Sequence, residues 1–222
     1  MWFASIWIFT LKLPWVLGAD LFYRNLLDGD PASNTCSWRW VAGLHTAGKT
    51  YLARPANIEE YTQGRFKPEG QLASTAVALE EADLGPRVQP TFDVPDLAGQ
   101  RIGLLLTPED CAADRLDPLP TPAGLFAWTE PVKRSVRPTA PAVDAFAAQA
   151  VESAVTASEA RFGLSCVRAE ADEPTAEALA RWAQDLALDC IVTPRLPLGP
   201  TRKAVHAACS SQGLTLVEVT RP

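Results

Sequence analysis

The sequence predicts a mixed fold, an all-α segment followed by an α/β domain with a mainly parallel sheet. Three observations carry that prediction. Residues 1–42 hold apolar side chains at helical spacing, interrupted at Pro14 and again at Asp28-Gly29-Asp30-Pro31. Many of the 19 prolines fall between Pro86 and Pro141, as in a long, irregular connection. From Gln100 onward, short continuous apolar runs alternate with helical stretches, the pattern of βαβ units.

Taken in order, Trp2–Leu13 reads as a short helix, apolar nearly all round and therefore interior. Pro14 suits the first turn of a second helix, where its missing N–H costs nothing, and that helix runs from Trp15 to Leu27. Gly29 and Pro31 then break it, and Ser33 or Asn34 is placed to cap a third helix carrying Trp38, Trp40 and Val41. A helical turn over Pro55–Tyr61 follows, then a possible helix over Val77–Asp83 and an extended linker over Pro86–Pro95.

In the second half, Arg101–Thr107 is a strand covered on both faces and Gly124–Thr129 a second strand. Ala140–Phe162 is a helix with Val143, Phe146, Ala150, Val151, Ala154 and Val155 on one face. Leu164–Val167, Cys190–Thr193 and Leu214–Val219 are strands, separated by helices over Thr175–Leu188 and Thr201–Ser211. The expected domains are therefore residues 1–66, a Pro-rich linker over 67–99, and an α/β, Rossmann-like domain over 100–222.

Composition narrows the function. At 222 residues and 47% hydrophobic, the chain can bury one large core or two small ones. Residues 1–67 carry seven bases and five acids, whereas the remainder carries 13 bases and 21 acids, as expected of two electrostatically distinct modules. The small positive balance of the first part is a weak electrostatic case for DNA. Five scattered cysteines without a CxxC, and two histidines without ligand spacing, make no metal site and point to reduced thiols in a cytoplasmic protein. The apolar start is interrupted by Lys12 and Pro14 at roughly half the length of a membrane span, so neither a signal peptide nor an anchor is expected.

The second module lacks the glycine-rich phosphate motifs. Leu198-Gly199-Pro200-Thr201 opens a helix whose N-terminus could bind an anion, but a plain strand-to-helix turn is the favoured reading. The lone His206 sits inside a helix and suggests no catalytic triad. The chemistry concentrates instead in Leu26–Trp40. Asp28 and Asp30, one residue apart, can be acceptors for ligand hydroxyl or N–H groups, or simply a helix stop with a capping acid. Trp15, Trp38 and Trp40 are core residues or an aromatic pocket wall.

Met1, Ala4-Ser5, Trp15, Gly18, Phe22, Leu26-Leu27-Asp28-Gly29-Asp30, Ala32, Asn34, Trp38 and Trp40 together resemble, without a gap, the flavin-binding helical domain of the DNA photolyase/cryptochrome family. The resemblance fades through Tyr51–Phe66. It implies that Asp28, Gly29 and Asp30 line an FAD site, that Asn34 faces flavin N5, and that Trp38 is the nearest and Trp15 the next link of an electron relay. Trp40 and Met1 would border a pocket for a flipped-out pyrimidine dimer in damaged DNA. It further implies a photolyase-type carbon–carbon lyase driven by light, or alternatively a cryptochrome-like blue-light sensor without repair or a non-catalytic fragment. Residues 178–219 resemble the family's α/β domain more loosely, and the absence of its Arg-Asp-Leu-Arg run argues against an antenna chromophore. Met1 aligns inside the helical domain, so an incomplete FAD site is expected, in a fragment or in a chain whose start is placed too late.

Overall fold

The computed structural model describes residues 1–46, 48–82, 85–86, 96–131 and 133–220. It divides into two compact units, Met1–Val88 and Gln89–Pro222. The first is helical and the second is α/β with an all-parallel five-stranded sheet, the fold class that the sequence predicts.

The first unit begins with α1 (Trp2–Ser5), which widens into a π-helical turn over Ile6–Thr10. Lys12, at a φ of 56°, ends it. Helix α2 (Trp15–Asn25) follows Pro14, which is its N-cap. Helix α3 spans Pro31–Ala42 and closes on Gly43 in the left-handed conformation. Asp30, not Ser33 or Asn34, is its cap: Oδ1 of Asp30 accepts from the Ser33 N–H at 2.5 Å. Pro31 does not break this helix but begins it, because the first turn has no use for its missing N–H. Helix α4 spans Pro55–Tyr61.

The core of this unit gathers Ala4, Ile8, Phe9, Ala19, Trp38, Val41 and Ala42. Polar ties hold the later segment onto α1: the Ser5 hydroxyl accepts from Ala53 N–H at 2.8 Å, and Trp2 Nε1 donates to Asn57 Oδ1 at 2.8 Å. The stretch from residue 67, expected to be linker, packs on the same unit as far as it is described. Ala73 and Ala76 lie against the core, Ala73 N–H donates to Thr10 Oγ1, Leu79 N–H donates to Ala42 O, and Glu81 pairs with Arg39. Residues 77–82 form no helix, since Leu79 spends its N–H on α3. Of the linker expected over Pro86–Pro95, residues 87–95 lie outside the described residues.

In the second unit, β1 (Ile102–Leu106), β2 (Gly124–Ala127), β3 (Cys166–Val167), β4 (Cys190–Pro194) and β5 (Leu216–Val219) pair in the order β3-β2-β1-β4-β5. The strand order reverses between β1 and β4, as in doubly wound sheets. The sheet is covered on both faces, so β1, β2 and β4 are buried at every position. Helix α5 (Pro141–Phe162) lies on the face of Leu104, Leu106, Leu125 and Val192, while α6 (Thr175–Asp185) and α7 (Pro200–Ser211) cover Leu105, Phe126 and Ile191. Gly103 and Gly124 admit Trp182 there, for a Cβ on Gly103 would come within 2.4 Å of its ring. The face of α5 is narrower than expected: Val143, Val151, Ala154 and Val155 are buried, but Phe146 is 42% exposed.

Candidate functional site

In the first unit, α2 and α3 approach closely because α2 presents small residues to α3. Gly18 and Ala19 are buried, and the Ala19 carbonyl accepts from Asn34 Nδ2 at 2.8 Å. On α3, Ser33, Asn34, Ser37, Trp38 and Val41 recur at three- and four-residue spacing and share one face. That face, the Asp28–Asp30 turn, Phe22 and Leu26 of the α2 end, and Met1 and Ala4 enclose a cleft of about 390 Å³. Its volume is within the ordinary range for small-ligand sites, about 300–1,000 Å³.

The cleft has two chemical sides. Ala4, Phe22, Leu26, Trp38 and Val41 offer an apolar wall, whereas Asp28, Asp30, Ser33, Asn34 and Ser37 supply polar groups. None of its lining residues is Lys or Arg. Asp28 is exposed, Gly29 buried and Asp30 half-buried. Trp38 is only 2% exposed and is boxed by rings, with Phe22 at 5.2 Å, Phe3 at 6.3 Å and Trp7 at 6.3 Å between centroids, all near edge-on. Edge-to-face packing of this kind fixes the indole plane.

Of the residues singled out in the sequence, Met1, Asp28, Gly29, Asp30, Asn34 and Trp38 therefore meet at one cleft. Trp15 and Trp40 are not among its lining residues. Trp40 lies about 200° around α3 from Trp38; it is 40% exposed and packs on Tyr51 at 5.9 Å. Trp15, the first residue of α2, packs on the core, and the Arg39 guanidinium lies 5.9 Å from its ring. Sequence reasoning missed Trp7, Phe3 and Phe22 as the rings around Trp38. The aromatic spacing Phe3, Trp7 at four residues was the available signal.

In the second unit, the residues singled out in the sequence are engaged within the protein. In the first turn of α7, Thr201 Oγ1 donates to the Glu109 carboxylate at 2.5 Å. His206 bonds Glu218 at 3.1 Å, and the same carboxylate receives Arg202 through two bonds of 2.9 and 2.8 Å. Burial raises the Glu218 carboxyl, but the Arg202 and His206 hydrogen bonds and charges outweigh it and hold the group below its ordinary range. All five cysteines are free, with Cys36 and Cys111 exposed and Cys190 and Cys209 buried. Among the described residues, no group of three or more His, Cys, Asp or Glu could hold a metal, and no helix is long and apolar enough to cross a membrane.

The residues thus form an amphipathic cleft between two helices, backed by a boxed indole and lined by no Lys or Arg. Comparison with known proteins finds similarity in the same segment. The family model described as the FAD binding domain of DNA photolyase matches residues 1–77. The deoxyribodipyrimidine photo-lyase of Buchnera aphidicola subsp. Baizongia pistaciae is 37% identical over 49 residues, 22% of this chain and 10% of that protein. The cryptochrome DASH of Idiomarina loihiensis is 32% identical over 68 residues, 31% of this chain and 14% of that protein. No solved structure matches at a significant level. The similarity of this chain to the photolyase/cryptochrome family is confined to its helical part, through the FAD-binding domain model over residues 1–77. The chain spans about a tenth to a seventh of the length of these curated relatives.

Proposed function

We propose that this chain carries one wall of the FAD site of a cytoplasmic photolyase-type flavoprotein. The activity of the whole protein is then light-driven electron transfer from reduced FAD to a cyclobutane pyrimidine dimer in DNA. The observation that carries this reading is the convergence of Asp28, Asp30, Asn34 and Trp38 on one cleft inside the segment that matches the FAD-binding domain.

The donor set fits the flavin ring rather than the diphosphate. With two carboxylates and no Lys or Arg lining it, the cleft suits an isoalloxazine with its ribityl chain better than a phosphate. FAD supplies blue-light absorption and one-electron redox chemistry when bound. The chain supplies placement. Asn34 spends one Nδ2 hydrogen on the Ala19 carbonyl, which orients the amide and leaves Oδ1, an acceptor for an N–H such as that at flavin N5, and a second N–H for a ligand. Asp28 and Asp30 are acceptors for ribityl hydroxyls, Asp30 retaining one oxygen beyond its cap. Trp38, dry and boxed, is the first electron donor, with Trp15 as the next link. Met1, at the cleft, and Trp40 border the DNA-lesion pocket.

A second reading, light sensing without repair, is favoured by one observation: Trp40 packs on Tyr51 rather than at the cleft. Illumination of dimer-containing oligonucleotides with the flavin-loaded protein separates the two. Dimer reversal that is lost in Trp40→Ala, with flavin photoreduction intact, supports repair; photoreduction with no reversal supports sensing. FAD titration of Asn34→Ala against wild type tests the site shared by both readings. Indifference to Asn34 would overturn it.

A further inference from the structure

We infer that Trp7 accepts the oxidising equivalent from Trp38 in preference to Trp15, so that this chain has a branch of its own in the relay. The inference rests on Trp38 being an electron donor at the cleft, as proposed above.

Three observations point to Trp7. The Trp7 ring lies 6.3 Å from that of Trp38, crossed at 85°, and of the three rings boxing Trp38 it is the one indole. A phenyl ring such as Phe3 or Phe22 gives up an electron far less readily than indole. The Trp7 Nε1–H donates to the Pro14 carbonyl at 2.9 Å, which sets the negative end of a backbone dipole against the ring and stabilises positive charge on it. Trp7 is also only half-buried, so solvent screens positive charge on its ring.

Trp15 sits in the opposite field. The Arg39 guanidinium is 5.9 Å from its ring centre, an attraction for the neutral ring that becomes repulsion once the ring is oxidised. Arg39 also pairs with Glu81, which weakens this field without moving the guanidinium off the ring.

The step balances simply. Trp38 loses one electron to a one-electron oxidant, the photoexcited flavin in the intact protein. Trp7 passes one electron to Trp38, which returns to its closed-shell state. Trp7 is left one electron short as the indole radical cation, its Nε1–H still donated to the Pro14 carbonyl.

The test needs no flavin. The full chain carries a ruthenium polypyridyl photo-oxidant on Cys36, an exposed thiol of α3. Cys111, the other exposed thiol, is changed to Ser, and Trp40, one turn from Cys36, to Phe. After flash oxidation with a soluble electron acceptor, oxidised indoles are mapped by peptide mass. The expected result is about tenfold more oxidation at Trp7 than at Trp15, a ratio that Arg39→Gln lowers toward unity. Trp38→Phe should reduce the Trp7 product severalfold. Should that variant unfold, Trp7→Phe carries the test, since oxidation must then accumulate on Trp38. Equal or greater oxidation of Trp15, a Trp7 yield unmoved by folded Trp38→Phe, or no accumulation on Trp38 in Trp7→Phe overturns the branch. Because the oxidant is attached, failure of FAD to bind would sink the flavin reading and leave this one standing. Conversely, FAD photoreduction without a role for Trp7 would sink only the branch.

Discussion

The six-membered ring of the Trp38 indole occupies the space that a side chain at Gly18 would fill. A Cβ at that position would come within 2.2 Å of Trp38 Cη2 and 2.4 Å of Cζ3. Gly18 is in the middle of α2, where alanine normally stabilises a helix by about 1 kcal/mol. Here the sign reverses. The ring is boxed by Phe3, Trp7 and Phe22 and has no free rotamer to retreat to. Gly18→Ala should destabilise the first unit by about 1–3 kcal/mol, read as a lower midpoint in urea followed by Trp fluorescence.

Asp28 and Asp30 should separate in their effects, although the sequence presents them as a pair. Asp30 caps α3 and Asp28 is exposed. Asp30→Ala should cost about 0.5–2 kcal/mol of unfolding free energy. Asp28→Ala should leave the denaturation midpoint nearly unchanged while weakening FAD. Equal midpoints for the two variants would contradict the assignment of the cap.

How much of this was legible in the sequence depended on how local the signal was. The strands of the second unit were visible because both faces of the sheet are covered, which makes runs such as Ile102–Leu106 continuously apolar. The convergence of Asp28, Asp30, Asn34 and Trp38 was legible through resemblance: Asn34 and Trp38 share the α3 face, and Asp28 and Asp30 lie in the turn before it. The start of α3 was misplaced because Pro31 was weighed as a breaker and not as the first helical residue. The π-turn over Ile6–Thr10 leaves no periodic trace, and it brings Trp7 round to Trp38, a long-range contact that no local pattern encodes. Phe146 matches the apolar face of α5 by spacing, yet it lies outside the sheet's cover.

Thiol reactivity should follow burial. Burial pushes the Cys209 thiol up to about 11. For Cys166 burial does the same, reinforced by Glu159 and Glu152 and opposed by Arg168, to about 12. Both therefore hold almost no thiolate near pH 8. Iodoacetamide at that pH should label exposed Cys36 in the native chain, and Cys166 and Cys209 only after denaturant is added.

The second unit should lose stability in acid through Glu218. Its carboxyl is held below its ordinary range in the folded state, and an unfolded glutamate titrates near about 4.3. A depressed folded value means that the contribution is fully present above the unfolded pKa and is lost as pH falls through the folded one. Urea midpoints of this unit, measured from pH 6 downward, should therefore decline below about pH 4. Glu218→Gln should flatten that part of the curve, and an unchanged profile would remove Arg202–Glu218–His206 as its source.

The most direct test of the flavin-site reading is FAD titration of the purified 222-residue chain, followed by quenching of Trp fluorescence and by flavin absorbance. With one wall of the pocket supplied, binding should be saturable but weak, and Asn34→Ala and Asp28→Ala should each weaken it severalfold. Association that ignores both substitutions would contradict the assignment of this cleft to flavin. Tight, stoichiometric binding of oxidised FAD would contradict the claim that the chain supplies only one wall.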